Sequence, residues 1–315
     1  MPYEEIDPHW KPEWLIEGLI EAHQFNVFSG SEKSHKSMLR KYLVCCMIAG
    51  QKPFGALGVT SSPPEVLSMI AEDAPGAERR VYDMILKEMG WTGPPPIHMV
   101  DPDDFDLSHD RDITEMTELI MDLQIDLVCM DPLIEFHTRN ENLPDQKEGM
   151  KPVIKGLRRI MKATGATTLV VHHNRKPFQA PGKTANANEN RDPGADMRGS
   201  SIVPAAAHCL TGIYRHGRSF SHTLWRKAKN ADDSEPYKVL VDPTTWLWEL
   251  DEPITEAKVY KKLMKNPGIT YKDLARLMAK RTDDVRGLLT GLEKKGLAYW
   301  IAGQNGRHQW SGIAK

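Results

Sequence analysis

The segment Gly30-Ser31-Glu32-Lys33-Ser34-His35-Lys36-Ser37 sits between a short apolar run, residues 24–30, and a helical pattern over 37–50. A glycine turn between strand and helix, closed by Lys-Ser, follows the P-loop spacing G-x-x-x-x-G-K-[ST]. The chemistry of such a turn is phosphate binding. Backbone amides and a helix N-terminus cradle anionic oxygens. Lys36 places a cation on the terminal phosphates of ATP, and the Ser37 hydroxyl suits a magnesium ion. One position departs from the pattern: His35 stands where the second glycine is expected. A side chain there narrows the freedom of the loop and crowds the phosphates, yet it leaves the backbone donors, Lys36 and Ser37 in place. The alternative reading is a degenerate loop that no longer binds nucleotide. Lys33 is a second cation, either an offset for a poorer fit or simply solvated.

A magnesium nucleotide also needs acids on neighbouring strands. Asp131 ends the apolar run 125–131, the Walker B placement, where a carboxylate holds the metal directly or through water. Glu72 or Asp73 ends the run 65–73, where a carboxylate can polarise an attacking water as general base. His172 and His173 end the run 167–173. Adjacent residues of a strand point to opposite faces, which does not suit a shared metal. One of the two suits sensing the γ-phosphate and relaying its state to the loop that follows; the competing reading is a polar strand end with one satisfied histidine. Arg198, in Met-Arg-Gly-Ser-Ser, is a candidate arginine finger acting across a subunit interface, against the default of a surface arginine. Lys227 and Lys229 are weaker candidates for that role.

These residues need a scaffold that brings strand ends together. Apolar runs at 24–30, 65–73, 97–100, 125–131 and 167–173 alternate with helical patterns, among them 78–90, 112–124 and 147–165, the last broken early by Pro152. That alternation predicts an α/β fold, a parallel sheet with helices on both faces and ligands beyond the carboxyl ends of the strands. Residues 175–199 are rich in Gly, Pro, Asn and Asp and lack periodicity, as functional or disordered loops do. The runs 206–217, 219–230 and 237–242 then read as antiparallel strands. From 255 onward three helical patterns (255–266, 270–280, 282–296) are followed by two apolar runs around Gln-Asn-Gly, a hairpin signal. Thr270 and Thr282 suit helix N-caps. Three helices and a hairpin in so short a stretch predict a winged helix-turn-helix. The expected domains are 1–252, with a short N-terminal arm, and 253–315.

Charge follows the same division. The chain of 315 residues carries a net −2, yet residues 254–315 carry +8 and the rest −10. A basic module joined to an acidic body is one footprint of nucleic-acid contact and equally one of a solvated surface. An apolar content of 40% is enough for a buried core. No stretch of about 18 apolar residues argues for a membrane helix, and the acidic, proline-bearing N-terminus is not a signal peptide. Cys45, Cys46, Cys129 and Cys209 fall in no metal-ligand spacing and read as reduced core thiols of a cytoplasmic protein.

Taken in order, Trp-Leu-Ile-Glu-Gly-Leu-Ile (14–20), the 30–37 loop, Met-Ile-Ala-Glu-Asp (69–73), Ile125–His137, Thr167–Lys176 and Met197–Ser201 resemble the RepA-like ATPases of the RecA superfamily over roughly residues 10–230. That group includes hexameric plasmid replicative helicases and proteins of phages and mobile elements. The resemblance implies a RecA-like core with ATP and Mg2+ between subunits of a homo-oligomeric, hexameric ring, and single-stranded DNA as partner. It assigns Gly30 to Ser37 to the phosphates, Ser37 and Asp131 to magnesium, Glu72 to the base, His172 or His173 to the sensor and Arg198 to the trans-acting finger. The C-terminal module resembles winged helices of replication initiators, with duplex DNA or a protein as its partner. Two other functions compete with a motor: a non-hydrolysing DNA-binding adaptor or regulator with a degenerate loop, and a recombinase-like filament.

Overall fold

A computed structural model describes residues 9–100, 105–145, 148–175, 191–217, 219–232, 235–251, 255–278, 280, 282–302 and 308–313. Lys176, Phe178 and Lys183 of the long loop, and the turn 304–306, lie outside the described residues. The chain divides into two compact units, Met1–Tyr214 with Thr223–Tyr237, and Arg215–His222 with Lys238–Lys315.

In the first unit a short antiparallel pair, β1 (Trp14–Ile16) and β2 (Ile20–Glu21), precedes the main sheet. The main sheet contains β3 (Phe25–Gly30), β4 (Val66–Ile70), β5 (Ile97–Val100), β6 (Leu127–Asp131), β7 (Thr167–His173) and β8 (Cys209–Arg215). They lie in the order β8-β3-β7-β6-β4-β5, every neighbouring pair parallel. β9 (Ser221–Ala228) lies beside β8. The connections are α1 (Lys36–Ala49), α2 (Pro75–Glu88), α3 (Asp110–Asp122) and α4 (Lys151–Thr164). This is an α/β fold with a mostly parallel sheet between helices. Strands buried on both faces explain why β3, β4, β6 and β7 read as continuous apolar runs rather than alternating ones.

Alternate strand residues still face opposite helices. Leu67 and Met69 of β4, Val128 and Met130 of β6, and Val27 and Val170 join a core with Ile113, Met116 and Ile120 of α3 and Val153, Leu157 and Ile160 of α4. Each such side chain contributes about 1.5–3 kcal/mol by leaving water. Ser68, between Leu67 and Met69, faces the other side, where Arg40 of α1 meets it.

Two expectations change. The run 65–73 is a strand only over Val66–Ile70; residues 71–73 leave the sheet ahead of Pro75, which opens α2. Pro152 does not break a helix but stands in the first turn of α4, where its missing N–H costs nothing. The chain returns to the sheet through α5 (Pro193–Asp196) and α6 (Ile202–Ala206), so β8 enters parallel to β3.

In the second unit, β10 (Tyr237–Val241) and β11 (Trp248–Leu250) form an antiparallel hairpin. It is followed by α7 (Glu256–Lys265), β12 (Ile269–Thr270), α8 (Tyr271–Leu277), α9 (Thr282–Lys294), β13 (Ala298–Ala302) and β14 (His308–Gly312). The last three strands form an antiparallel sheet in the order β12-β14-β13, the arrangement of a winged helix. Val259, Leu263, Leu274, Val285, Leu289, Leu292 and Trp310 fill its core. The Thr255 and Thr270 hydroxyls accept from the Lys258 and Asp273 amides and cap α7 and α8. Lys262 lies 3.9 Å from Asp242 and 3.7 Å from Glu249, and Lys280 pairs with Asp251, so the hairpin is tied to the helices by ions. No helix among the described residues is long and apolar enough to cross a membrane. All four cysteines are buried, and none is in a disulfide.

Candidate nucleotide site

Parallel register does the first part of the assembly. Gly30 at the end of β3 lies beside His173 at the end of β7, and Asp131 at the end of β6 lies beside Ile70 at the end of β4. The chain then turns from β3 into α1 through a loop with two residues in the left-handed region, Lys33 (φ 59) and His35 (φ 66). The His35 value explains why glycine is the usual occupant: an L side chain there costs about 1–2 kcal/mol. Histidine is among the few residue types enriched in this region, so the loop keeps its path with the imidazole in place. His35 is the N-cap of α1 and makes no side-chain capping hydrogen bond. The first amides of the helix therefore keep their capacity for an anion.

Two observations fit this loop to a polyphosphate. A Cβ at Gly30 would stand 2.5 Å from Ser34 Oγ and 2.8 Å from the Ile213 carbonyl, so only glycine admits the turn. Ser34 Oγ is buried and has no hydrogen-bond partner in the protein, a polar atom awaiting one from a ligand. Ser31, Glu32 and Lys33 are exposed at the loop's rim. Lys36 is buried, its Nζ donating to the Ser31 carbonyl at 2.9 Å and lying 3.5 Å from His173 Nδ1. Burial lowers its pKa, while Asp131, Glu72 and Glu32 pull it back toward the charged form. Ser37 is half-buried in the first turn of α1.

The two histidines do face apart. His173 bridges the pocket, with Nδ1 toward Lys36 and Nε2 3.4 Å from Glu72 Oε1. Carrying its proton on Nε2, this ring accepts from the ammonium and presents N–H to the carboxylate. His172 is buried on the other side, where Nε2–H donates to the Arg198 carbonyl at 2.9 Å and Nδ1 lies 3.6 Å from Glu141 Oε1. Burial lowers the His172 pKa. Arg198 is 3.7 Å from the other oxygen of Glu141, and its amide donates to the His173 carbonyl. The structure thus joins Lys36, His173 and Glu72 directly, sets Asp131 beside them through Lys36, and holds Arg198 against the back of the same strand end. Lys227 pairs with Asp192 at 2.6 Å instead.

Residues the sequence reading passes over complete the site from beneath. The Arg40 guanidinium is wholly out of water and donates to Asp131, Ser68, Tyr82 and Glu78. Lys41, also buried, lies 2.5 Å from Glu78 and 3.3 Å from Asp73. Two adjacent cations inside the otherwise apolar helix 38–49 are the sequence signal that points to such a cluster.

The AAA_25 family, described as an AAA domain, matches residues 6–179. The chain belongs to this family of RecA-like P-loop ATPases. Membership of this family implies nucleotide binding, typically with Mg2+. No curated protein matches the chain. For the metal, the AAA_25 chain offers a hydroxyl, Ser37, and a carboxylate, Asp131, the hard oxygen donors that suit magnesium on a phosphate chain.

Proposed function

We propose that this AAA_25 chain hydrolyses ATP and couples the cycle to single-stranded DNA, as a homo-oligomeric ring serving replication of a plasmid, phage or other mobile element. The observation that carries the reading is the convergence of Lys36 at the start of α1, Glu72 just past β4 and Asp131 at the end of β6, with His173 in contact with the first two. Lys36 leaves the Ser31 carbonyl to hold the terminal phosphates. Glu72, at the open rim, orients water and takes its proton. Asp131 and Ser37 hold the metal, which when bound neutralises charge on the phosphates. His173 loses or keeps its contact with Lys36 according to whether phosphate is present.

The path outward from the pocket is short. Asn174, next to His173, pairs with Met197 in an isolated β-bridge, and Arg175 donates its amide to Asp196. Both flanks of the loop 176–190 are therefore tied to the sensing strand. We assign DNA contact to that loop and the trans-acting cation to Arg198, whose side chain is 57% exposed. The winged helix then takes duplex DNA or a protein partner.

ATP turnover with and without single-stranded DNA tests the proposal. Turnover should rise with DNA, and Lys36→Ala should cut it by roughly 100-fold or more, since it removes a fixed charge from the phosphates. Arg198→Ala should bind ATP normally but turn it over slowly. Turnover that is absent, or indifferent to Lys36→Ala, leaves the non-hydrolysing DNA-binding adaptor as the reading.

A further inference from the structure

Arg40 is fixed at four points. Its Nε donates to Asp131 Oδ2 at 3.1 Å, Nη1 to Tyr82 OH at 2.7 Å and to Ser68 Oγ at 3.2 Å, and Nη2 to Glu78 Oε1. The acceptors come from β6, α2 and β4, and the donor from the second turn of the helix that begins at Lys36. Glu78 is itself fully buried, and its second oxygen takes Lys41, which also reaches Asp73 beside Glu72. Burying this many charges is costly, and well-packed apolar side chains of similar volume would often be as stable or more so. What apolar packing cannot do is fix the rotation of a carboxylate. A planar guanidinium with its other donors already committed does that.

We propose that Arg40 is a positioning residue for Asp131: it sets the orientation in which the carboxylate meets nucleotide-bound magnesium and makes the phosphate-loop helix and the β6 end one body. The proposal rests on the reading of the pocket as an Mg-ATP site. Arg40 touches neither nucleotide nor metal and acts through Asp131. The same cluster holds the Asp73 end of the loop carrying Glu72, so both acids are referred to α1.

The test is equilibrium binding of a fluorescent ATP analogue to the full chain, with excess Mg2+ and with EDTA. The readout is the ratio of the two dissociation constants, which a general loss of packing does not change selectively. In the wild-type chain Mg2+ should tighten binding. Arg40→Lys keeps the charge but cannot reach four acceptors, so it should lose roughly tenfold of that tightening while its EDTA value stays within about twofold of wild type, as expected when the partner of a metal-holding side chain is removed. Tyr82→Phe with Ser68→Ala leaves both ion pairs of Arg40 intact and loosens only its orientation. It should lose part of the tightening in the same direction, and it keeps the test alive if Arg40→Lys does not fold. Wild-type tightening in a folded Arg40→Lys chain, or in the double variant, overturns the proposal. A wild-type chain that binds the analogue equally with Mg2+ and EDTA overturns the reading of the pocket and the proposal with it.

Discussion

Beneath the phosphate loop, Arg40, Lys41, Glu78 and Asp131 lie out of water and against one another. In the C-terminal unit, α7, α8 and α9 bury Val259, Leu263, Leu274 and Leu289 and leave most of their lysines and arginines toward solvent. Both units carry many charges, but among the described residues only the first takes them inside. Buried ions stabilise little on balance and fix geometry well; exposed ions cost little and set the field felt by a partner. The contrast separates a region built to hold atoms in place from one built to present charge.

The sharpest way to break this contrast is to remove one counter-ion from each unit. Glu78→Gln strands Arg40 and Lys41 with too little negative charge and should destabilise the chain by about 3–5 kcal/mol, read from urea unfolding. Lys295→Gln, which removes an exposed pair with Glu256, should cost less than about 1 kcal/mol. Equal losses would end the distinction.

Acid should act on the first unit before the second. Burial holds the His137 pKa down at about 4 from an ordinary 6.5, with His172 adding to the effect and Asp106 opposing it. Between those values the unfolded chain binds a proton that the folded His137 refuses. Stability should therefore fall as pH drops through this window, by up to about 1.4 kcal/mol per pH unit for this group. Urea midpoints at pH 7 and pH 5 should differ less in His137→Asn. An unchanged difference would show that His137 is not the group responsible.

The smallest effect sharpens the comparison from the other side. Thr270→Ala removes the cap of α8 and should cost about 1 kcal/mol. Amide exchange should quicken within α8 and its neighbours while the amides of α1 and β6 keep their protection. Faster exchange in α1 would mean that the two units do not respond separately.

Much of this was legible before any coordinates. The run 167–173 is the whole of β7: its apolar centre Leu169–Val171 continues into β-prone threonines on one side and into His172 and His173 on the other. The loop 30–37, Asp131 and the opposed histidines follow from strand ends and the two-residue period. What sequence hides is partnership. His173 meets Glu72 across a long separation in the chain, and Arg40 meets Asp131 through the sheet register. No local pattern encodes either contact. The run 65–73 overshoots β4 by three residues, because Ala71, Glu72 and Asp73 extend the pattern after the hydrogen-bonded ladder stops.

The bridge between Asn174 and Met197 has an evolutionary consequence. A segment whose two ends are already stapled side by side can be lengthened or exchanged at a cost that grows only with the logarithm of its length. Lineages can therefore rewrite what lies between those ends while the sheet and the loop Gly30–Ser37 are inherited untouched.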